Sequence, residues 1–365
     1  MRVKIGESFR TVFNKDIKIH QDGTTPMYRD VDGTLWAMSG HSHWGHISVF
    51  SGKTIEDLEE KYEIHTNFSV GNADYAFSNI KFPEGVKARG SIWPFGLYIC
   101  PVTHRFFSFF HNETGWAGFG TGYDSFGLCE RPLYDTDFRH IGLMHSDDEG
   151  KSWVFDRWVL SANEVCFSEK FNPEGDCVVG QKEGVISLGS GDFSTYIDDE
   201  YIYLFYNIIH ANMNEGYWED CHIYVARSRR RTDGVMGDFV KYYNGAFCEA
   251  GNFGRETPIV KNAWHGRVLK LQKYNRYLMT SVKVNPREKG RLVSDIAEFR
   301  YSDDLINWSE PQYVEVEGKP FGNHYVAAVS NDIGGNPMVA QGEDIMLLLN
   351  HNGTDVMAYP SKIEE

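Results

Sequence analysis

Apolar and polar residues alternate with a period of two over most of the chain, in short runs bounded by Gly, Asp and Asn. The clearest are TLWAMSG (34–40), GLYICPV (96–102), RFFSFFHN (105–112), HIGLMHS (140–146), YIYLFYN (201–207), HIYVARS (222–228), YLMTSVK (277–283), IAEFRYS (296–302) and DIMLLLN (344–350). Successive side chains of a strand point to opposite faces, so this pattern predicts many short strands joined by turns. Helical spacing is confined to KTIEDLEEKYE (53–63), where one helix is expected. Strands of this number and spacing imply a sandwich, a barrel or a propeller.

A weak repeat decides among the three. HSDDEGKSW (145–153) and YSDDLINW (301–308) each follow a strand and end in Trp, and RSRRRTDGVMGDF (227–239) stands in the same place after HIYVARS. A unit of roughly fifty residues or more, reading turn, aromatic strand, apolar strand, acidic turn and aromatic, predicts propeller blades. The blades are expected at 16–68, 85–165, 185–258, 260–318 and 320–360, with the N-terminal segment closing the ring. No Pro-, Ser- or charge-rich linker divides the chain, so residues 1–365 read as a single all-β, five-bladed β-propeller domain. At 365 residues and 41.8 kDa such a domain buries a large core without disulfides.

Composition narrows the partners. Thirty-six basic against 51 acidic residues give a net charge of −15, which argues against nucleic acid, whose phosphates need clustered Lys and Arg. RSRRR (227–231), the one basic run, is expected to be a solvated loop. The six cysteines (100, 129, 166, 177, 221 and 248) make no CxxC and no zinc-ligand spacing, and are expected to be free thiols, mostly buried. No apolar run approaches membrane-spanning length and MRVKIGESFR has no leader-like core, so no membrane partner is expected. The chain as written reads as cytoplasmic; a leader removed ahead of it would make it secreted.

GSGDFSTYIDDEYIYLFYN (189–207) carries the most chemistry. Asp192 is placed just ahead of a strand-like run, and an Asp198-Asp199 turn separates it from the aromatic strand Tyr201–Tyr206. The spacing of Asp192-Phe193-Ser194-Thr195-Tyr196-Ile197-Asp198-Asp199 resembles glycoside hydrolase family 43 and its relatives, families 32 and 68, with Phe193 and Glu200 in place of a Pro and a Gly. YSDDLINWSEP (301–311) resembles the blade ending of those families, and HSDDEGKSW resembles the Asp-box turn of sialidases and other propellers. KYYNGAFCEAGNFGRETP (241–258) matches no signature of family 43, so a separate family of the same fold is also consistent.

The resemblance implies a glycoside hydrolase acting on oligo- or polysaccharides, furanoside-type and exo-acting, with three carboxyl groups on inner strands. Asp22, in HQDGTTPMYRDVDG, is the candidate base, although it lies further from its turn than the family pattern asks. Asp192 is the carboxylate that orients the acid and raises its pKa. Glu256, in RETPIVK, and Glu249, in AFCEAGNFGRE, are alternative proton donors between which the residues do not choose. For binding sugar, His43 and Trp44 in HSHWGH, Trp93, His210, Arg255, His265 and His324 are candidates, and Arg255 and Arg267 suit an anionic sugar. No cofactor is required; His324 could help bind a structural calcium, and no metal ligand set is assigned. The competing readings are a sialidase-like hydrolase, which needs an Arg triad and a Tyr nucleophile, and a carbohydrate-binding propeller without converging carboxylates. Transfer to another sugar or to phosphate uses the same acids. Oligomeric state is not encoded in any recognisable feature.

Overall fold

The computed structural model describes residues 1–11, 23–40, 46–65, 80–81, 91–113, 139–163, 185–212, 214–289, 293–330, 332–351 and 355–365. Strands β1 (Arg2–Ile5) and β2 (Phe9–Arg10) are followed by a meander of β3 (Met27–Arg29), β4 (Leu35–Gly40), β5 (His46–Gly52) and β6 (Glu59–His65). After β7 (Ile80–Lys81) comes a second meander, β8 (Ser91–Ile99), β9 (Phe106–Glu113), β10 (Arg139–Ser146) and β11 (Trp153–Leu160). The third has five strands: β12 (Val185–Ile197), β13 (Tyr201–Asn212), β14 (Tyr217–Arg229), β15 (Val240–Tyr243) and β16 (Ala246–Ala250). The fourth is β17 (Ala263–Leu271), β18 (Arg276–Val284) and β19 (Val293–Ser302). The hairpin β20 (Glu315–Val316) and β21 (Lys319–Pro320) precedes β22 (Tyr325–Val329), β23 (Val339–Ala340), β24 (Asp344–His351) and β25 (Asp355–Glu364). β22, β24 and β25 form the last meander, onto which β1 and β2 pair, with Arg2 opposite Glu364 and Phe9 opposite Ala358.

The leading strands of the five meanders lie side by side. β3 packs by β8, β8 by β12, β12 by β17 and β17 by β22. Met27 of β3 shares a core with Ala327 and Val329 of β22. These strands are buried on both faces, so they read as near-continuous apolar runs such as SIWPFGLYI, whereas the outermost strand AFCEA is exposed at alternate positions. The largest core is aromatic: Phe95, Phe109, Phe110, Phe193, Phe205 and Tyr206 are all buried within it.

The acidic turns explain the repeat. Ser146 Oγ donates to Asp148 at 2.7 Å, Asp148 accepts the Ser152 backbone N–H at 2.8 Å, and the Trp153 indole donates to the Gly150 carbonyl at 3.0 Å. The same bonds recur at 301–308: Ser302 to Asp304 at 3.1 Å, the Asn307 N–H to Asp304 at 2.8 Å, and the Trp308 indole to the Leu305 carbonyl at 3.1 Å. A short acid closing its own turn while an indole covers it is a local device, which is why it is visible in sequence. At the Asp198-Asp199 turn, Asp198 accepts the N–H groups of Glu200 and Tyr201 at 2.8 and 2.7 Å.

Two sequence expectations are corrected. Residues 53–63 are not helical: Asp57 ties a turn by accepting the N–H groups of Lys53 and Thr54, and 59–65 pair with β5 as an edge strand. Pairing outweighs weak helical spacing because the edge of β5 offers a full ladder of bonds. RSRRR is not a free loop either. Its first three residues end β14, with the Arg227 guanidinium 3.9 Å from the Tyr201 ring centre; Arg230 bonds the Asp198 carbonyl and Arg231 pairs with Asp233. Of the cysteines, Cys100 and Cys221 are buried free thiols and Cys248 is exposed; 129, 166 and 177 lie outside the described residues. No described helix is long and apolar enough to cross a membrane.

Candidate active site

Asp192 lies inside β12 rather than ahead of it, within the second of two irregularities in the pairing with β13, at Ser187/Ser190 and Gly191/Ser194. Its backbone is left-handed, with φ 42°, a conformation that costs a non-glycine residue energy and needs surrounding support. Bulges re-aim side chains, and here the result is a carboxylate turned into the protein, 5% exposed. The Asp192 N–H donates to His111 Nδ1 at 2.9 Å, and Arg139 Nη1 donates to Asp192 Oδ2 at 2.6 Å. Gly191 and Gly189 permit this approach. A Cβ on Gly191 would lie 2.5 Å from the His111 ring, and one on Gly189, whose φ is 85°, would lie 2.3 Å from the Arg139 carbonyl oxygen.

Burial alone would raise the Asp192 pKa, but the charge of Arg139, with His111 and His265, overrides it and holds the group at about 2. Asp192 is therefore a carboxylate at any ordinary pH. The Trp264 indole N–H also favours this charge, although it stands outside good hydrogen-bond geometry.

β17 repeats the device. His265 has φ 56°, sits at a pairing irregularity between Trp264 and Arg267, and donates its backbone N–H to Asn207 Oδ1 at 2.7 Å. Asn207 is itself fixed, donating to the His222 and Ala263 carbonyls at 2.9 Å each. The His265 ring is fully buried against Phe95 and Tyr325, each 4.9 Å away between centroids, and among the described residues neither ring nitrogen has a hydrogen-bond partner. Burial, aided by His111, His324 and Arg267, lowers its pKa to about 3 against the opposing pull of Asp192. In the free protein the imidazole is neutral, beside a carboxylate that favours its protonation. His140, also buried, is pushed well below its ordinary value by burial and by His111.

Around this pair the sequence candidates separate. Trp93 is buried with its ring 5.2 Å from His111, making it part of the wall of the centre. His324 borders it: the ring packs 4.7 Å from Trp264, and Nδ1 lies 3.5 Å from Asp295. His210 is one strand out, bonded through Nδ1 to Asp220 at 2.6 Å. Asp22, His43 and Trp44 lie outside the described residues.

Neither glutamate is placed beside Asp192. Glu249 is on β16, four strands out from β12, or roughly 19 Å at the usual strand spacing. It is bonded to Arg255 Nε at 3.0 Å, an interaction that holds it below the usual carboxylate range. Arg255 is spent on that exposed pair and on the Tyr243 ring. Glu256 pairs with the buried Lys241, whose ammonium also donates to the Ser161 and Gly254 carbonyls at 2.6 and 3.0 Å. That geometry ties the loop after β16 to the end of β11 and is a structural lock. The loop context that nominated Glu249 follows chain order, whereas strand order puts it at the outer edge of its sheet; Glu256, nominated by the family spacing, lies in the loop after β16 and accepts from the Tyr206 hydroxyl of β13 at 3.4 Å.

Arg139 and Asn207 were not foreseen. Arg139 carries no local signal; only the parallel contact of β10 with β12, Arg139 opposite Gly189, brings it to Asp192. Among the described residues no group of three or more His, Cys, Asp or Glu could hold a metal ion.

No family model matches the sequence, and no curated protein matches it. Solved structures do share the fold. A family 117 glycoside hydrolase from the marine bacterium Zobellia galactanivorans superposes over 100% of this chain and 92% of its own, with a TM-score of 0.50 at 10% identity. An exo-β-1,3-galactanase from Phanerochaete chrysosporium, solved with β-1,3-galactotriose, gives 0.48 at 10% identity; 99% of this chain is aligned, spanning 64% of the galactanase. A GH62 α-L-arabinofuranosidase from Coprinopsis cinerea gives 0.45 at 10% identity over 99% of this chain and 96% of its own. The architecture is thus that of known glycoside hydrolases.

Proposed function

We propose that the five meanders are the blades of a five-bladed propeller and that the chain is a glycoside hydrolase whose active centre is built around Asp192 and His265. One observation carries the reading: a buried carboxylate held ionised by Arg139 stands beside a buried imidazole with two unpartnered nitrogens, on adjacent leading strands. Glycoside hydrolysis needs a proton moved to the leaving oxygen or from the attacking water, and charge opposite an oxocarbenium-like transition state. A neutral imidazole can take a proton from water, and Asp192 stabilises the imidazolium that forms. Asp192 so keeps the expected role of an ionised neighbour that supports a proton on its partner, and the partner is His265 rather than a glutamate.

Asp22 remains the proposed second carboxyl group. It is one residue before Gly23, which lies against the Phe95 ring, and that ring also touches His111 and His265. Oligo- or polysaccharide substrates, with exo action on furanoside units, are proposed on the sequence resemblance to families 43, 32 and 68.

The test is turnover on a panel of aryl furanosides and pyranosides and on plant and algal oligosaccharides. Asp192→Asn and His265→Gln are expected to lower kcat by about 10²- to 10⁴-fold while circular dichroism stays native. Glu249→Gln is expected to keep wild-type kcat. Full activity in folded Asp192→Asn would sink the assignment.

A further inference from the structure

The same strand that carries His265 carries a second buried group without a partner. Arg267 is 1% exposed, and its guanidinium makes one hydrogen bond, from Nη1 to the Thr25 carbonyl at 3.1 Å. Among the described residues Nε and Nη2 have no partner. The Thr25 carbonyl is neutral, burial lowers the Arg267 pKa to about 10, and among the described residues no carboxylate is paired with its guanidinium. The charged group that it does affect is His265, of like sign, which it disfavours in protonated form. Thr24, next in the chain to the acceptor Thr25, is 2% exposed, and its hydroxyl is also unpartnered.

A buried cation without a counter-charge costs several kcal/mol in real proteins, and buried donors without acceptors cost more. Here a guanidinium edge and, one residue from its anchor, a hydroxyl are all donors, while Arg139, the other buried arginine of the centre, is matched by Asp192. Such a donor set recognises negative charge.

We propose that Arg267 Nε and Nη2 bind a small monovalent anion inside the ring of leading strands. The occupant is either a free halide-sized ion or the carboxylate of an acidic sugar. By neutralising Arg267, the anion also removes one of the charges that oppose a proton on His265.

The test is independent of turnover. The full chain is brought into halide-free methanesulfonate buffer, and thermal unfolding is followed while sodium bromide or sodium glucuronate replaces methanesulfonate at constant ionic strength. A saturable rise in Tm, on the order of 3 °C when the site is filled about a hundredfold above Kd, is expected for wild type, reduced in Arg267→Lys and absent in Arg267→Met. A response to bromide identifies a free ion; a response to glucuronate alone identifies the acidic sugar. If Arg267→Met does not fold, wild-type crystals grown with bromide or glucuronate decide, by an anomalous peak or carboxylate density against Arg267. Wild-type Tm indifferent to both anions, with neither found at Arg267, overturns the proposal and leaves the glycosidase reading untouched.

Discussion

Replacing Asp192 by Asn tests whether the centre is held together by an ionised carboxylate. The carboxyl group is fully inside the protein and its pKa falls from the ordinary 3.8 to about 2 because Arg139 outweighs burial. At about 1.4 kcal/mol per pH unit this depression stabilises the folded chain by roughly 2.5 kcal/mol. The sign follows from the direction: a carboxyl group with a depressed folded pKa contributes fully above pH 3.8 and loses that contribution as pH falls towards 2. Asp192→Asn removes the charge and leaves Arg139 buried beside an amide. For 365 residues unfolding near Tm carries about 0.8 kcal/mol/K of entropy, so Tm should fall by about 3 °C at pH 7. Calorimetry of both proteins from pH 7 to pH 2 checks this: the gap in stability should be constant down to about pH 4 and close by pH 2. Equal Tm values at pH 7, or a gap that does not close in acid, would refute the reasoning.

His265→Gln should flatten the loss of stability on acidification between about pH 6.5 and pH 3. The native imidazole resists a proton that the unfolded chain accepts throughout that window, and urea titrations at pH 7, 5 and 3.5 read it. Gly189→Ala should destabilise by more than the roughly 1 kcal/mol of a left-handed alanine, since its Cβ would also meet the Arg139 carbonyl at 2.3 Å; chemical denaturation measures the loss. Glu256→Gln should cost about 3–5 kcal/mol by leaving Lys241 buried and unpaired, with kcat per folded molecule unchanged. A large loss of kcat with normal stability would restore Glu256 as a catalytic acid.

The turns and strands were legible because their determinants are local. Ser146, Asp148 and Trp153, like Ser302, Asp304 and Trp308, bond within one hairpin, so a few residues suffice to specify each. Asp192 was legible for the same reason, since its spacing to the Asp198-Asp199 turn marks the leading strand that carries it. The helical spacing over 53–63 is overridden because Glu59–His65 is a largely exposed edge strand, where helical and extended patterns look alike until a neighbour offers its ladder.

What the sequence determined, then, is an all-β chain of repeated hairpins with an acid on one inner strand, because residues within a dozen positions of one another decide those features. The partners of that acid were set by tertiary structure alone. Arg139 reaches Asp192 across 53 residues, His265 meets it from another sheet, and Glu249 is carried to the outer edge by the order of strands. Charge neutralisation and proton affinity depend on distance through space and on burial, and neither is written in the separation of residues along a chain.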